Sequence, residues 1–311
     1  MTSLVSTVSP IFGLILLGFF AVKLRGIEEA GVRGLVVFVF NFAIPALLLR
    51  SLADLDFPPD LEWAFLIAYY AGAFATYGLG LTVARLGFRR PLADQAIFAM
   101  SASYSNLVLM GIPVVLVGLG PDASLPMLLV IAFHSAIFLP ITVALIERGR
   151  RGPASPGPGL ASVFAEMARN PIIIGIVIGF ALNGSGIRLW IGLESLLDIL
   201  ATAAVPCALF AMGASLAGYS LHGELRPAAA LTALKLVVQP LLVWVVAVPI
   251  LGLEGLWASV PVVLAGMPTG VNAYLFGARY YVSAEVAART VLLTTICSVA
   301  TITVLLVLLG G

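Results

Sequence analysis

Charge is scarce in this chain: of 311 residues, 10% are Asp, Glu, Lys or Arg, while 61% are hydrophobic. That balance excludes a soluble α/β protein, and the apolar runs repeatedly exceed the roughly 18 residues that carry a helix across a bilayer. The period-two alternation of a membrane β-barrel is also missing, which leaves a helical bundle as the way to satisfy backbone groups in lipid. Cysteine and histidine number two each. Cys207 and Cys297 both fall inside apolar runs, so they read as packing residues and not as a disulfide framework. With no Cys/His cluster and no basic block, a metal finger and nucleic-acid binding are set aside, and no cofactor is expected. No Lys or Arg precedes the first apolar run, residues 4–22, whereas Lys23 and Arg25 follow it. That polarity is wrong for a cleaved signal, so the run is expected to span the membrane.

What is present is a series of ten apolar runs bounded by charges, Pro or Gly, at residues 4–22, 32–53, 62–84, 93–118, 124–146, 168–184, 192–217, 228–250, 255–280 and 285–308. The expected fold class is therefore an all-α polytopic membrane protein. Basic residues follow the first run (Lys23, Arg25, Arg33), the third (Arg85, Arg89, Arg90) and the fifth (Arg148, Arg150, Arg151). Acidic ones, Asp54, Asp56, Asp60, Glu62 and Asp122, follow the second and fourth, and Arg226 and Arg279 continue the alternation. The positive-inside rule then places both termini outside and the odd connections in the cytoplasm.

Two halves, residues 1–147 and 168–311, are joined by a Pro/Gly-rich cytoplasmic linker, residues 148–167, that reads as a flexible joint. Five crossings per half give the halves opposite orientation. Gly18-Phe19 matches Gly179-Phe180, with Pro10 and Pro171 ahead of them, and Ala43-Ile44-Pro45-Ala46-Leu47 matches Ala204-Val205-Pro206-Cys207-Ala208 at the same offset. Their common order points to an inverted repeat.

The fourth and ninth runs carry the polar chemistry. Residues 101–113 read Ser-Ala-Ser-Tyr-Ser-Asn-Leu-Val-Leu-Met-Gly-Ile-Pro, and residues 268–277 read Pro-Thr-Gly-Val-Asn-Ala-Tyr-Leu-Phe-Gly. Both share a frame of a hydroxyl (Ser103, Thr269), an asparagine three residues on (Asn106, Asn272) and a glycine five after that (Gly111, Gly277). Proline removes an amide donor and clashes with the carbonyl four residues back, so Pro113 is expected to loosen the helix at Leu109 and Pro268 at Leu264, with Gly111 and either Gly266 or Gly270 adding freedom. Such breaks are tolerated in lipid only inside protein or beside a wet cavity, and a pair of them in corresponding halves is the pattern of a transporter binding site. The breaks are thus expected to meet, with half-helix N-termini favouring an anion. Asn106, Asn272, Ser103, Ser105 and Thr269 would supply hydrogen bonds without burying charge. Asparagines that merely hold kinked helices together are the alternative.

Further polar residues lie within or at the edges of the runs. Lys235 either snorkels to the interface or sets positive potential near the site, with Gln239 and Pro240 one turn on. His134 is a candidate proton carrier or a hydrogen-bonded packing residue. Thr290, Thr294, Ser298 and Thr301 form a stripe read as helix packing, and Arg50, Asp54, Glu194 and Asp198 read as interfacial.

Asn106-Leu-Val-Leu-Met-Gly-Ile-Pro113, the run from Pro206 to Ala217, and Pro268-Thr-Gly-Val-Asn-Ala-Tyr together resemble the auxin efflux carrier family over almost the whole chain. The short linker is similar to that of the bacterial branch, which includes organic-acid transporters, so a bacterial cytoplasmic membrane is implied. The resemblance implies ten helices in a five-plus-five inverted repeat, with helices four and nine broken and crossing. It also implies a scaffold of helices 1, 2, 6 and 7, often dimeric, and a mobile transport domain of helices 3–5 and 8–10. Asn106 would contribute to carboxylate binding and Pro268 would mark the second break. Ser105 stands where plant members have proline, which leaves the place of the first break open. The function implied is secondary transport of a small organic anion by an elevator-like movement, with H+, Na+ or no coupling ion. Competing readings are a channel, a transporter-like sensor, and an intramembrane enzyme, the last lacking a convergent nucleophile or acid–base pair.

Overall fold

The computed structural model of the chain describes residues 2–54, 62–151, 169, 171–218 and 225–309, and among them no strand forms. Asp56, Asp60 and linker residues 152–167 lie outside the described residues. Among the described residues six helical stretches are long and apolar enough to cross a membrane: Glu29–Ala53, Ala64–Gly87, Pro121–Arg150, Ile191–Leu216, Leu225–Ile250 and Ala284–Leu309. Shorter apolar helices occupy Ser9–Lys23, Leu107–Gly118, Pro171–Ser185 and Gly255–Ala265. Large side chains such as Leu17, Phe20, Ile67, Val177, Ile199 and Leu308 stand exposed along these helices, the surface an apolar solvent requires.

In chain order the α-helices are α1 (Thr2–Lys23), α2 (Glu29–Phe38), α3 (Ile44–Ala53), α4 (Ala64–Thr82), α5 (Leu92–Ser103), α6 (Ile112–Gly118) and α7 (Ser124–Arg151). The second half contributes α8 (Pro171–Ser185), α9 (Ile191–Leu216), α10 (Leu225–Ala233), α11 (Gln239–Val245), α12 (Gly255–Ala265), α13 (Asn272–Tyr280) and α14 (Ala284–Leu309). Helix α7 runs four residues into the expected linker. Its late Gly149 is held against Ala93, leaving no breaker before Gly152-Pro153.

Of the wide π-helical turns, those at Val39–Ala43, Leu107–Gly111 and Leu234–Val238 each end two residues before a proline, Pro45, Pro113 and Pro240, whereas those at Val83–Gly87 and Val246–Ile250 do not. A proline that cannot donate to the carbonyl four residues back is accommodated by widening the preceding turn. This corrects the expectation for Gly111 and Pro113. They mark a widened stretch within a continuing helix, and the interruption itself falls upstream, at Tyr104–Asn106.

The chain divides into two compact units. The first gathers Met1–Leu61, Val108–Ala132 and Phe164–Gly218; the second gathers Glu62–Leu107, Phe133–Val163 and Tyr219–Gly311. Within the first, helices approach through glycine. Gly213 of α9 lies against the backbone of Ile15 in α1, and Gly18 of α1 against that of Phe210 and Ala214. Gly175 and Gly179 of α8 face Pro45 and the Leu49–Leu52 turn of α3 in the same manner. Small residues at such contacts let backbones touch, the packing that holds helices where lipid supplies no hydrophobic drive. Arg50 pairs with Asp198 at 2.7 Å, Asp54 at 3.1 Å and Glu194 at 3.9 Å, joining the end of α3 to the start of α9.

Within the second unit, Gly72 of α4 faces Val243 of α11, and Gly80 faces Ala99 of α5. Ala84, Phe98, Ala102, Leu231 and Val286 form a buried apolar cluster among α5, α10, α14 and the π turn after α4. Tyr70, Phe74 and Tyr77 ring Phe138 of α7, and Tyr77 shares a hydrogen bond with Thr142. This packing fixes α5 and α7 around the break.

Candidate functional site

Helix α5 ends at Ser103 and the chain runs on extended, while α12 ends at Ala265 and a turn at Gly266 leads into a second extended piece before helix resumes. The two extended pieces pair. Ser105 and Thr269 oppose each other in an antiparallel bridge, flanked by Asn106 N–H donating to Pro268 O and Gly270 N–H donating to Tyr104 O, both at 2.8 Å. The bridge is the narrow, non-hydrogen-bonded kind, in which the opposed residues turn their own amides outward. Each outward amide then needs an acceptor, because both residues are buried, at 1% and 0% exposure.

Neighbouring helices supply those acceptors. Ser105 N–H donates to His134 Nε2 of α7 at 3.1 Å, and Thr269 N–H donates to Thr294 Oγ1 of α14 at 3.0 Å. An amide can only donate, so Nε2 offers its lone pair and the neutral ring carries its proton on Nδ1, 3.3 Å from the Tyr69 hydroxyl. His134 is thereby committed to holding the break, a task that competes with proton carriage. Thr294 passes its own hydrogen to Thr290 O at 2.7 Å.

The helix ends are met as closely. Among the last four carbonyls of α5, Met100 O accepts from Tyr104 N–H, Ser101 O from the Thr269 hydroxyl at 2.7 Å, and Ser103 O from Gln239 Nε2 at 3.0 Å. At the end of α12, Ala265 O accepts from Lys235 Nζ at 2.5 Å. The Ser103 hydroxyl turns back to Ala99 O. Helix α13 opens two residues after Gly270, so its first amides and positive dipole end lie at the break. Asn272 is its first residue, and its side-chain amide donates to the Tyr104 hydroxyl at 2.9 Å. Asn106 is buried at 6% exposure, immediately beside the bridge.

The structure thus gathers Ser103, Ser105, Asn106, His134, Lys235, Gln239, Pro268, Thr269, Gly270 and Asn272 into one hydrogen-bonded neighbourhood of the second unit. Gly111 and Pro113 belong to the first unit. Sequence reasoning passed over Tyr104, whose hydroxyl also meets Ser135 at 2.7 Å and whose ring packs on His134 at 4.4 Å between centroids. It also read Thr294 as packing. Tyr104 lies inside the polar motif and Thr294 within the threonine stripe, but neither position signals its partner.

Chemically, the arrangement presents neutral donors beside a helix N-terminus and carbonyls at the helix C-termini that accept from Thr269, Gln239 and Lys235. It can hold a small anion, and it has no nucleophile poised beside a base. The chain is 28% identical over 313 residues to a protein of Rhizobium meliloti (strain 1021) named "Putative malonate transporter", covering 99% of this chain and 97% of that one. It is also 28% identical over 250 residues to the lysosomal cholesterol signaling protein of Mus musculus, covering 74% of this chain but only 28% of that longer protein. With residues 3–306 matching the family described as "Membrane transport protein", the chain belongs to that family, the auxin efflux carriers, and is an integral membrane protein.

Proposed function

We propose that the protein is a secondary transporter of a small organic anion, whose carboxylate binds at the paired breaks. The observation that carries this reading is the Ser105–Thr269 bridge with its two flanking hydrogen bonds. It brings two interrupted helices together, with Asn106, Asn272 and the start of α13 beside the pairing. The name borne by the Rhizobium relative makes malonate the first probe.

Ten crossings in a five-plus-five inverted repeat, with helices four and nine crossing, fit the internal correspondences. Gly18 packs α1 on α9 as Gly179 packs α8 on α3, and His134 holds Ser105 as Thr294 holds Thr269. Helices 1, 2, 6 and 7 take the scaffold role and helices 3–5 and 8–10 the transport role, moving as in an elevator. The protein is assigned to a bacterial cytoplasmic membrane, with both termini outside and dimer formation through the scaffold.

The test is malonate uptake into proteoliposomes. Asn106→Ala and Asn272→Ala are each expected to raise the half-saturating malonate concentration about 10- to 100-fold, the effect of losing a hydrogen bond to a charged group. Wild-type uptake in both variants would remove the site. The mouse relative's name favours one other reading, a sensor built on a transporter fold. Saturable malonate binding without flux in the same vesicles would select it.

A further inference from the structure

One helical stretch serves the carbonyl ends of both interrupted helices. Lys235 donates to Ala265 O, the last residue of α12, and one turn later Gln239 donates to Ser103 O, the last residue of α5. Both side chains are fully buried. Lys235 lies in the π-helical stretch Leu234–Val238, whose widened turn precedes Pro240. Among the described residues no carboxylate comes within ion-pairing distance of its ammonium, which meets the Ala265 carbonyl instead. Two further acceptors at these helix ends, Gln239 Oε1 and Ser101 Oγ, are buried without a hydrogen-bond partner.

A helix that ends in apolar surroundings leaves carbonyl oxygens and a partial negative charge unmet. In broken-helix transporters, those unwound carbonyls are where a coupling cation is coordinated. Here an ammonium carried by the chain reaches them first. We infer that Lys235 is a built-in cation, filling at the carbonyl ends of the broken helices the role that a soluble cation would otherwise take. The paired breaks are then ready for an anion without a bound metal ion. Gln239 completes the arrangement as the neutral cap on the second helix end. The functional meaning rests on the anion-site reading above, but the physical claim is measured without substrate.

The experiment is thermal unfolding of the purified full-length protein in choline chloride, replaced in turn by sodium chloride or methylammonium chloride at constant ionic strength. Wild type is expected to melt within about 1 °C in all three, its site being occupied. Lys235→Ala should melt several degrees lower in choline and regain at least half of that loss in sodium or methylammonium, which fit where choline does not. Lys235→Met fills the space without charge and should be destabilised in every salt. If the alanine variant does not purify folded, Lys235→Gln takes its place, and sodium is again expected to raise its melting temperature. Stabilisation of the wild type by sodium would overturn the proposal. So would an alanine or glutamine variant that ignores both small cations. Either failure leaves the Asn106 and Asn272 result standing, and failure at those residues leaves the cation response intact.

Discussion

Replacing Gly270 with valine is expected to take apart the paired breaks and abolish malonate uptake. A Cβ at this position would lie 2.7 and 2.8 Å from two carbons of the Tyr104 ring and 3.2 Å from Ser105 O. The ring cannot step aside. It is 5% exposed, its hydroxyl is held by Ser135 and Asn272, and its face lies on His134. The added bulk must therefore push residues 104–105 away from 269–270, losing the Gly270–Tyr104 hydrogen bond and straining its companion. Overpacking together with the lost hydrogen bonds amounts to about 3–5 kcal/mol. Melting temperature and uptake are both expected to fall, with Gly270→Ala intermediate. A valine variant that transports like wild type would mean that the bridge is dispensable.

The second large effect belongs to the other unit. Gly213→Leu is expected to keep α1 from seating on α9, because a Cβ there would overlap the carbonyl of Ile15, and backbone has no rotamer by which to yield. A loss on the order of 4 kcal/mol should follow, seen as aggregated protein on size-exclusion chromatography in detergent. Gly13→Leu is the control on α1: a Cβ at Gly13 meets nothing within 4 Å, so this variant should elute like wild type. Equal behaviour of the two variants would show that α1 and α9 do not touch where the glycines place them.

The apolar runs were legible because lipid demands them, and every run of the sequence overlaps an apolar helix. Legible too was where the polar chemistry gathers, in the two runs that carry proline, glycine and asparagine together. Their register was less so. The shared hydroxyl-Asn-Gly frame aligns Ser103 with Thr269 as corresponding positions, whereas the structure opposes Ser105 to Thr269 and leaves Ser103 as the last residue of a helix. Pairing is decided by where each helix releases the chain. The first break is short and contains its asparagine, while the second runs from Gly266 to Val271 and precedes its asparagine. Pro113 misled for a related reason: a π turn absorbed it. What a single sequence hides most is the supporting set on other helices. Lys235, Gln239, His134 and Thr294 are polar residues in apolar runs away from the breaks, and only tertiary structure says which helix end or amide each one meets.

Disulfide trapping of Ser105→Cys with Thr269→Cys, in a background where Cys207 and Cys297 are replaced by serine, measures the pairing itself. Opposed residues in a narrow antiparallel pair have Cα atoms about 4.5 Å apart, within the range a disulfide bridges. Mild oxidation of the protein in liposomes is expected to give nearly complete intramolecular linkage, read by mass spectrometry as a 105–269 cross-linked peptide that reductant releases. Two thiols that remain separately alkylatable after oxidation would contradict the account, because the broken helices would not then meet to form one site.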